Sequence, residues 1–242
     1  MKNFVPSLVL VVAVFSQQLN AAELIGKAVD LDSGVPLYTE RHVFAVSTGE
    51  GTLRSSYLTP GDEKFASRVV QYANNDVVEY RLEQSNIDYS ERIERRGDEL
   101  TIVVDKADTS PKTEQLFLRA GVEPVIDAGF NDYLVRNWDS LLKGERLRFQ
   151  FASTAQLGLV KLQVNLDKRL SDNQIAVFSM TAANPVFRLL VEPVKVGFYR
   201  DSRQLAYYRG VSNLKDENGK AFDVEITFEN NQLTSPQELA GR

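Results

Sequence analysis

Most of the chain alternates between apolar and polar residues with a period of two, which is typical of half-buried β-strands. Residues 222–229 alternate in this way, and so do residues 147–151 and 160–166. Turn-forming clusters rich in Gly, Asn, Asp and Pro separate such runs. The pattern predicts a mainly β fold built on a single large curved antiparallel sheet, arranged as a meander, a half-barrel or a barrel-like sheet.

One segment departs from this period and predicts a helix. Between Gly129 and Gly144 the apolar residues recur at helical spacing, and Gly144 is a typical C-terminal stop. We therefore expect one amphipathic helix near residues 130–143, packed against the sheet. Asn184-Pro185 is a typical helix start, but the residues after it also fit a strand, so a second helix stays an alternative.

The N-terminal segment has the pattern of a secretory signal. Lys2 precedes an apolar run over residues 8–15, and the small pair Ala21-Ala22 follows. The run is shorter than the roughly 20 apolar residues that cross a bilayer. We expect a signal peptide at residues 1–22, a single β-rich domain at residues 23–242, and no transmembrane segment after signal removal. The expected location is the periplasm, with secretion as the alternative.

Composition excludes several kinds of chemistry. The chain has no cysteine, which excludes thiol catalysis, disulfides and thiolate metal sites. It has one histidine. With few ligands of the preferred types, we expect no metal site and no cofactor. The formal net charge of -5 argues against a nucleic-acid partner.

The candidate catalytic residues are few. His42, the only histidine, would have to serve any Ser-His-Asp type of hydrolase, and Glu40 lies on the same strand face. The chain contains no Gly-x-Ser-x-Gly motif, which favours a non-catalytic protein. A carboxylate-based cell-envelope hydrolase is the alternative. An integral outer-membrane barrel would need apolar outer faces, whereas residues 90–96 place charges on both faces of a strand.

The aromatic residues raise the possibility of a binding protein. A curved sheet with a helix at its mouth can enclose an apolar cavity for a small molecule, a lipid or a partner segment. Because protein interiors are normally close-packed, a filled core is the favoured expectation. If polar residues line a site, our candidates for ligand binding, with Trp138 as an aromatic wall, are Glu40, His42, Asp127, Asn137, Trp138 and Arg209.

Two stretches carry a resemblance to known proteins. One is VIDAGFNDYLVRNWDSL at residues 125–141; the other is RLLV at residues 188–191 with LAYYRGVSNL at residues 205–214 and Gly219 after it. Together they resemble a group of uncharacterised exported periplasmic proteins of Gram-negative bacteria. That resemblance implies a shared fold and a shared cellular location, and it implies no catalytic residues. The expected sheet and helix also resemble, more distantly, the half-barrel of periplasmic lipoprotein carriers, which implies lipid binding by analogy.

Overall fold

The computed structural model describes residues 22–47, 50–184 and 192–229. The expected signal peptide, apart from its last residue, and the alternatives at residues 185–191 lie outside the described residues. A 3-10 turn occupies Ser85–Ile87. The strands are β1 (Ala22–Asp30), β2 (Pro36–Ser47), β3 (Glu50–Leu58), β4 (Lys64–Ala73), β5 (Asp76–Gln84), β6 (Tyr89–Arg96), β7 (Glu99–Lys106), β8 (Lys112–Phe117), β9 (Leu147–Ser153), β10 (Gly158–Leu166), β11 (Ile175–Ala182), β12 (Val194–Tyr199), β13 (Leu205–Lys215) and β14 (Ala221–Phe228).

These strands form one antiparallel sheet, as the alternation predicts. The order is β8-β7-β6-β5-β4-β3-β2-β1-β14-β13-β12-β11-β10-β9, so β1 to β8 are one meander and β9 to β14 are another. The two meanders join where β14 pairs with β1, with Gly26 opposite Phe228. The sheet is not closed, because β8 and β9 are its edges among the described residues.

Contacts between strands that are far apart in this order show how strongly the sheet curves. Eleven steps separate β6 from β9, which would be about 50 Å in a flat sheet. Thr154, just after β9, nevertheless donates a 2.7 Å hydrogen bond to Glu91 of β6. The two ends of the sheet therefore approach each other around a common interior.

The predicted helical segment forms as two consecutive helices, α1 (Gly129–Arg136) and α2 (Trp138–Leu142). The break lies at Asn137, whose side-chain amide donates a 2.8 Å hydrogen bond to the carbonyl of Tyr133. Asn side chains compete in this way with the backbone and so interrupt helices. The expectation of one continuous helix is corrected here, while its packed, amphipathic character is retained.

The alternating residues fill the interior, and the helices cover part of it. In β14, Val224, Ile226 and Phe228 are buried, as the sequence pattern predicts. One core cluster lies mainly between β2 to β7 and β14, and a second lies beneath α1 and α2. In the second cluster the ring of Trp138 meets Phe178 and Phe198 edge-on, with centroid separations of 5.3 and 6.1 Å.

Candidate functional site

A cavity of about 390 Å³ lies between the two core clusters, inside the curve of the sheet. Residues from both meanders and from α1 line it. The exposed residues Ser202 and Arg203 mark its rim. Most of the wall is apolar, formed by Leu24, Phe44, Leu53, Ala128, Phe130, Val135, Phe151, Met180, Val196, Phe198, Leu205, Leu214, Ile226 and Phe228.

This cavity corrects the expectation of a filled core. Three large polar side chains in the middle of β2 and β4 do not cross the open space, because hydrogen bonds tie them along the wall, to one another and to Ser55. Glu40, His42 and Arg68 are the residues tied in this way. The wall is thus apolar over most of its area and polar at one end, which is the usual composition of a small-molecule site.

The polar end begins with a series of hydrogen bonds along β2 and β3. His42 Nε2 lies 2.9 Å from Glu40 Oε1, and His42 Nδ1 lies 2.7 Å from Ser55 Oγ. Arg68 donates to the same Ser55 oxygen through Nε and Nη2, at 3.4 and 3.2 Å. Because that oxygen already accepts from Arg68, its own hydrogen is free to be donated to His42 Nδ1, and Nε2–H then donates to Glu40.

A glycine in β1 makes room for this arrangement. Gly26 pairs with both Glu40 and Phe228 across its two neighbouring strands. A Cβ atom at this position would lie 2.8 Å from Glu40 Cγ and 2.8 Å from a ring carbon of Phe228. Such distances are too short for any side chain, so glycine lets a carboxylate and an aromatic ring share the wall.

A buried ion pair forms the next part of the polar end. Arg68 of β4 reaches Asp127, which precedes α1, with Nη1 3.3 Å from Oδ1 and 3.1 Å from Oδ2. Burial alone would lower the pKa of Arg68, but the carboxylate of Asp127 beside it raises that pKa above its usual value. Asn213 of β13 adds a 3.1 Å hydrogen bond to Asp127 Oδ1. Three separate elements are therefore joined at Asp127.

Tyrosine hydroxyls surround these charges. Burial raises the pKa of Tyr57 and Tyr208, and the carboxylate of Glu40 raises both further. The pKa of Tyr38 is raised by the same two causes, and its hydroxyl lies 3.1 Å from Ser212 Oγ. These phenols stay protonated at neutral pH, and Tyr208 donates its hydroxyl hydrogen to the carbonyl oxygen of Val211 at 2.6 Å.

Asp132 is a further titratable residue in the cavity wall. It lies in the first turn of α1. Burial raises the pKa of Asp132 to about 6, although Arg136 and a hydrogen bond from Tyr72 oppose the shift. At the rim, the guanidinium carbon of Arg203 lies 5.6 Å from the ring centroid of Trp138.

A second polar cluster adjoins the cavity without lining it. Glu91 of β6 accepts hydrogen bonds from Tyr89, Thr154 and Tyr80, and Lys215 Nζ lies 3.3 Å from its Oε1. The ammonium of Lys215 also lies 3.7 Å from the ring centroid of Tyr89. Burial lowers the pKa of Lys215, and Glu91 opposes that shift. This cluster ties β13 to β6 across the interior and so fixes the width of the cavity.

The structure places the six candidate residues in different surroundings. Glu40, His42 and Asp127 line the cavity. Trp138 lies one layer behind it, packed against the wall residue Phe198. The side-chain amide of Asn137 is engaged in its hydrogen bond to Tyr133 at the helix break. Neither Trp138 nor Asn137 lines the cavity.

Arg209 is the candidate that lies farthest from this arrangement. It is exposed on the outer face of the sheet, where it forms a 3.1 Å ion pair with Glu225. Alternation along β13 explains the difference, because Tyr208 and Ser212 belong to the inner face and line the cavity. The proposal that Arg209 lines a site is therefore corrected.

Sequence reasoning missed Arg68, Ser55 and Asn213. A signal for Arg68 was present, since it shares the parity of Ala66, Val70 and Tyr72 in an otherwise apolar alternation. A charged residue in such a register is expected to face the interior and to need a partner.

Among residues 22–47, 50–184 and 192–229, no three carboxylate, histidine or cysteine side chains gather closely enough to hold a metal ion. No helix in these same ranges is long and apolar enough to cross a membrane. The polar groups of the cavity are suited to hydrogen bonding with a ligand, and the ion pair of Arg68 and Asp127 is the charged centre of that surface.

Comparison with known proteins gives an architectural likeness only. The chain matches no protein-family model and no curated protein sequence. It is similar to a crystal structure described as a beta-barrel-like protein of domain of unknown function DUF1849 from Brucella abortus. The two chains are 10% identical with a TM-score of 0.40, over 87% of this chain and 96% of the other. The neighbour is itself of unknown function.

Proposed function

We propose that this protein is a non-catalytic binding protein that holds an apolar, lipid-like molecule in the cavity inside its sheet. The observation that carries the proposal is the cavity of about 390 Å³ with a mostly apolar wall and one polar end. Taking about 30 Å³ for each water-sized group, this volume accommodates a chain of roughly ten carbons with a small headgroup. Cavities of this size and composition are typical of small-molecule sites.

The proposed location is the periplasm. The support is the leader pattern at residues 1–22, with Lys2, an apolar run and the pair Ala21-Ala22. Apolar molecules that pass through an aqueous compartment need a protein that removes their surface from water. An apolar segment of a partner protein is an alternative occupant, since it would bury the same wall.

Filling the cavity tests the proposal. Met180 is half-buried and lines the cavity, so Met180→Trp should occupy part of the volume. We expect the affinity for the neutral apolar dye N-phenyl-1-naphthylamine to fall at least about tenfold, as measured by the enhancement of dye fluorescence. A tenfold change corresponds to the loss of about 1.4 kcal/mol of apolar burial, or roughly 55 Å².

Val211→Trp is the matched control, because Val211 is 46% exposed and does not line the cavity. This variant should bind the dye as the unmodified protein does. Circular dichroism and thermal unfolding establish that both variants are folded. Equal binding by both variants, or no saturable binding by the unmodified protein, would count against the cavity as a binding site.

One observation favours a hydrolase as a second candidate. Ser55, His42 and Glu40 form a hydrogen-bonded series with a hydroxyl, an imidazole and a carboxylate in the order that nucleophilic catalysis uses. Against it, Ser55 is 2% exposed, is held by Arg68, and is not part of the cavity wall. A substrate in the cavity would therefore meet His42 and Glu40 but not the hydroxyl.

Hydrolysis of p-nitrophenyl esters and glycosides by the unmodified protein and by Glu40→Gln separates the two candidates. We expect no turnover above the buffer rate for either protein. A rate that the unmodified protein shows and Glu40→Gln loses at least a hundredfold, with folding preserved, would establish the hydrolase and displace the binding protein.

A further inference from the structure

We propose that the bound molecule carries a hydrogen-bond donor, a hydroxyl or an ammonium group, and that Asp127 Oδ2 accepts this hydrogen bond at the polar end of the cavity. The inference rests on the proposed function and adds the chemistry of the headgroup. It excludes ligands whose polar end only accepts, such as fatty acid anions, esters and ethers.

The acceptor is an orphaned oxygen of a residue that lines the cavity. Asp127 Oδ2 is buried, and no described group donates a hydrogen bond to it. Arg68 Nη1 lies 3.1 Å away, but its N–H does not point at this oxygen. The other oxygen, Oδ1, accepts from both Arg68 and Asn213. Since buried carboxylate oxygens are normally hydrogen-bonded, an orphaned one beside a cavity indicates a missing donor.

The backbone holds Asp127 in this position. Its φ of 39° lies in the left-handed region, which is uncommon for residues other than glycine. It lies between an isolated β-bridge, which pairs Val125 with Phe151 of β9, and the first turn of α1. Such conformations persist where the surrounding structure enforces them, and they are frequent at ligand sites. The side-chain carboxylate, 6% exposed, is thereby fixed against Arg68.

Charge in the wall also favours a donor. The carboxylates of Glu40, Asp127 and Asp132 face the cavity, against the guanidinium groups of Arg68 and Arg203. The wall therefore carries more acidic than basic groups, and Arg68 is already paired. A ligand carboxylate would add an unpaired negative charge in a partly desolvated space, whereas a hydroxyl or ammonium group would satisfy the free oxygen.

A series of matched ligands tests the inference on the unmodified protein. The probes are 1-decanol, decylamine, nonyl methyl ether and decanoate, each used to displace N-phenyl-1-naphthylamine. Decanol and the ether have the same number of heavy atoms, but only decanol can donate. A hydrogen bond to a buried carboxylate should make decanol bind at least about tenfold more tightly than the ether or decanoate. Decylamine, compared with decanol, distinguishes the ammonium from the hydroxyl as the preferred donor.

The variant Asp127→Asn should remove this discrimination. Asparagine tolerates the same backbone conformation and keeps an oxygen for Arg68 and Asn213, but it places an NH₂ donor where Oδ2 was. We expect the ether to bind this variant as tightly as decanol does. Because the change leaves Arg68 without its charge partner, thermal unfolding must establish that the variant is folded. If the variant does not fold, the ligand series on the unmodified protein alone tests the inference.

The outcomes separate this inference from the proposed function. Equal displacement of the dye by all four probes would overturn the inference and leave the binding cavity standing. Tighter binding of decanoate or the ether than of decanol would also overturn it. Failure of the dye and all probes to bind would refute both.

Discussion

The buried ion pair of the cavity wall joins residues of different elements, so a single substitution there affects several parts of the fold. Arg68 lies on β4 and its partner Asp127 precedes α1, while Asn213 comes from β13. Breaking a buried pair of this kind leaves an uncompensated charge, whereas an apolar pair of similar size would often be as stable. Stability alone therefore does not account for the pair, which is consistent with the proposed role of Asp127 in ligand recognition.

At this scale, the sequence predicted part of the site. Alternation along β2 placed Glu40 and His42 on the face that also carries the buried Tyr38. It did not join them to Asp127, because contacts between residues far apart in the chain depend on how the sheet curves. Arg68 and Asp127 are 59 positions apart, and Asn213 and Asp127 are 86 apart.

Asp132→Asn should stabilise the protein above about pH 6. The folded-state pKa of Asp132 is about 6 and its ordinary value is 3.8. The folded state thus holds the proton more tightly than the unfolded state, and stability falls as pH rises between these values. Asparagine does not titrate, so the variant should gain about 1 kcal/mol in the free energy of unfolding at pH 8, allowing for partial exposure, and almost nothing at pH 4.

Urea unfolding at both pH values measures this effect. Asp139→Asn, which removes the same charge from an exposed position in α2, is the control and should show no comparable gain on going from pH 4 to pH 8. A loss of stability for Asp132→Asn at pH 8 would mean that the attraction of Arg136 for the Asp132 carboxylate outweighs the cost of its burial.

Among the elements, the helices act as the support for one wall of the cavity. The sequence predicted their location from the apolar stripe that ends near Leu142. It did not predict the break at Asn137, since the competing side-chain hydrogen bond to Tyr133 depends on the local backbone. The stripe still reaches the sheet because Leu134, Trp138 and Leu141 are all buried.

Trp138→Ala should destabilise the protein by about 3–5 kcal/mol, because it removes a ring that is 4% exposed and packs against Phe178 and Phe198. Trp138→Phe keeps a ring in this place and should cost less. Urea unfolding of the two variants gives both values. An unchanged midpoint for Trp138→Ala would mean that the helices do not depend on this contact.

On the scale of the whole molecule, the sheet order is what creates the cavity. Period-two runs and turn signals predicted a curved antiparallel sheet built from local hairpins, and the structure confirms it. They could not predict that β14 pairs with β1, because alternation tells which side chains are buried and not which strand lies beside them. The expectation of a filled core failed for a related reason, since the enclosed volume depends on the curvature set together by the fourteen strands of the described part of the chain.

The proposed function requires that this interior holds an apolar molecule. Native mass spectrometry of the protein purified from its own cells without detergent, compared with Met180→Trp purified in parallel, tests it most directly. We expect a non-covalent adduct that dissociates on collisional activation to release a lipid-like molecule with a hydroxyl or amine. This adduct should be absent from the variant. Bare protein in both samples, or the same adduct on both, would contradict it.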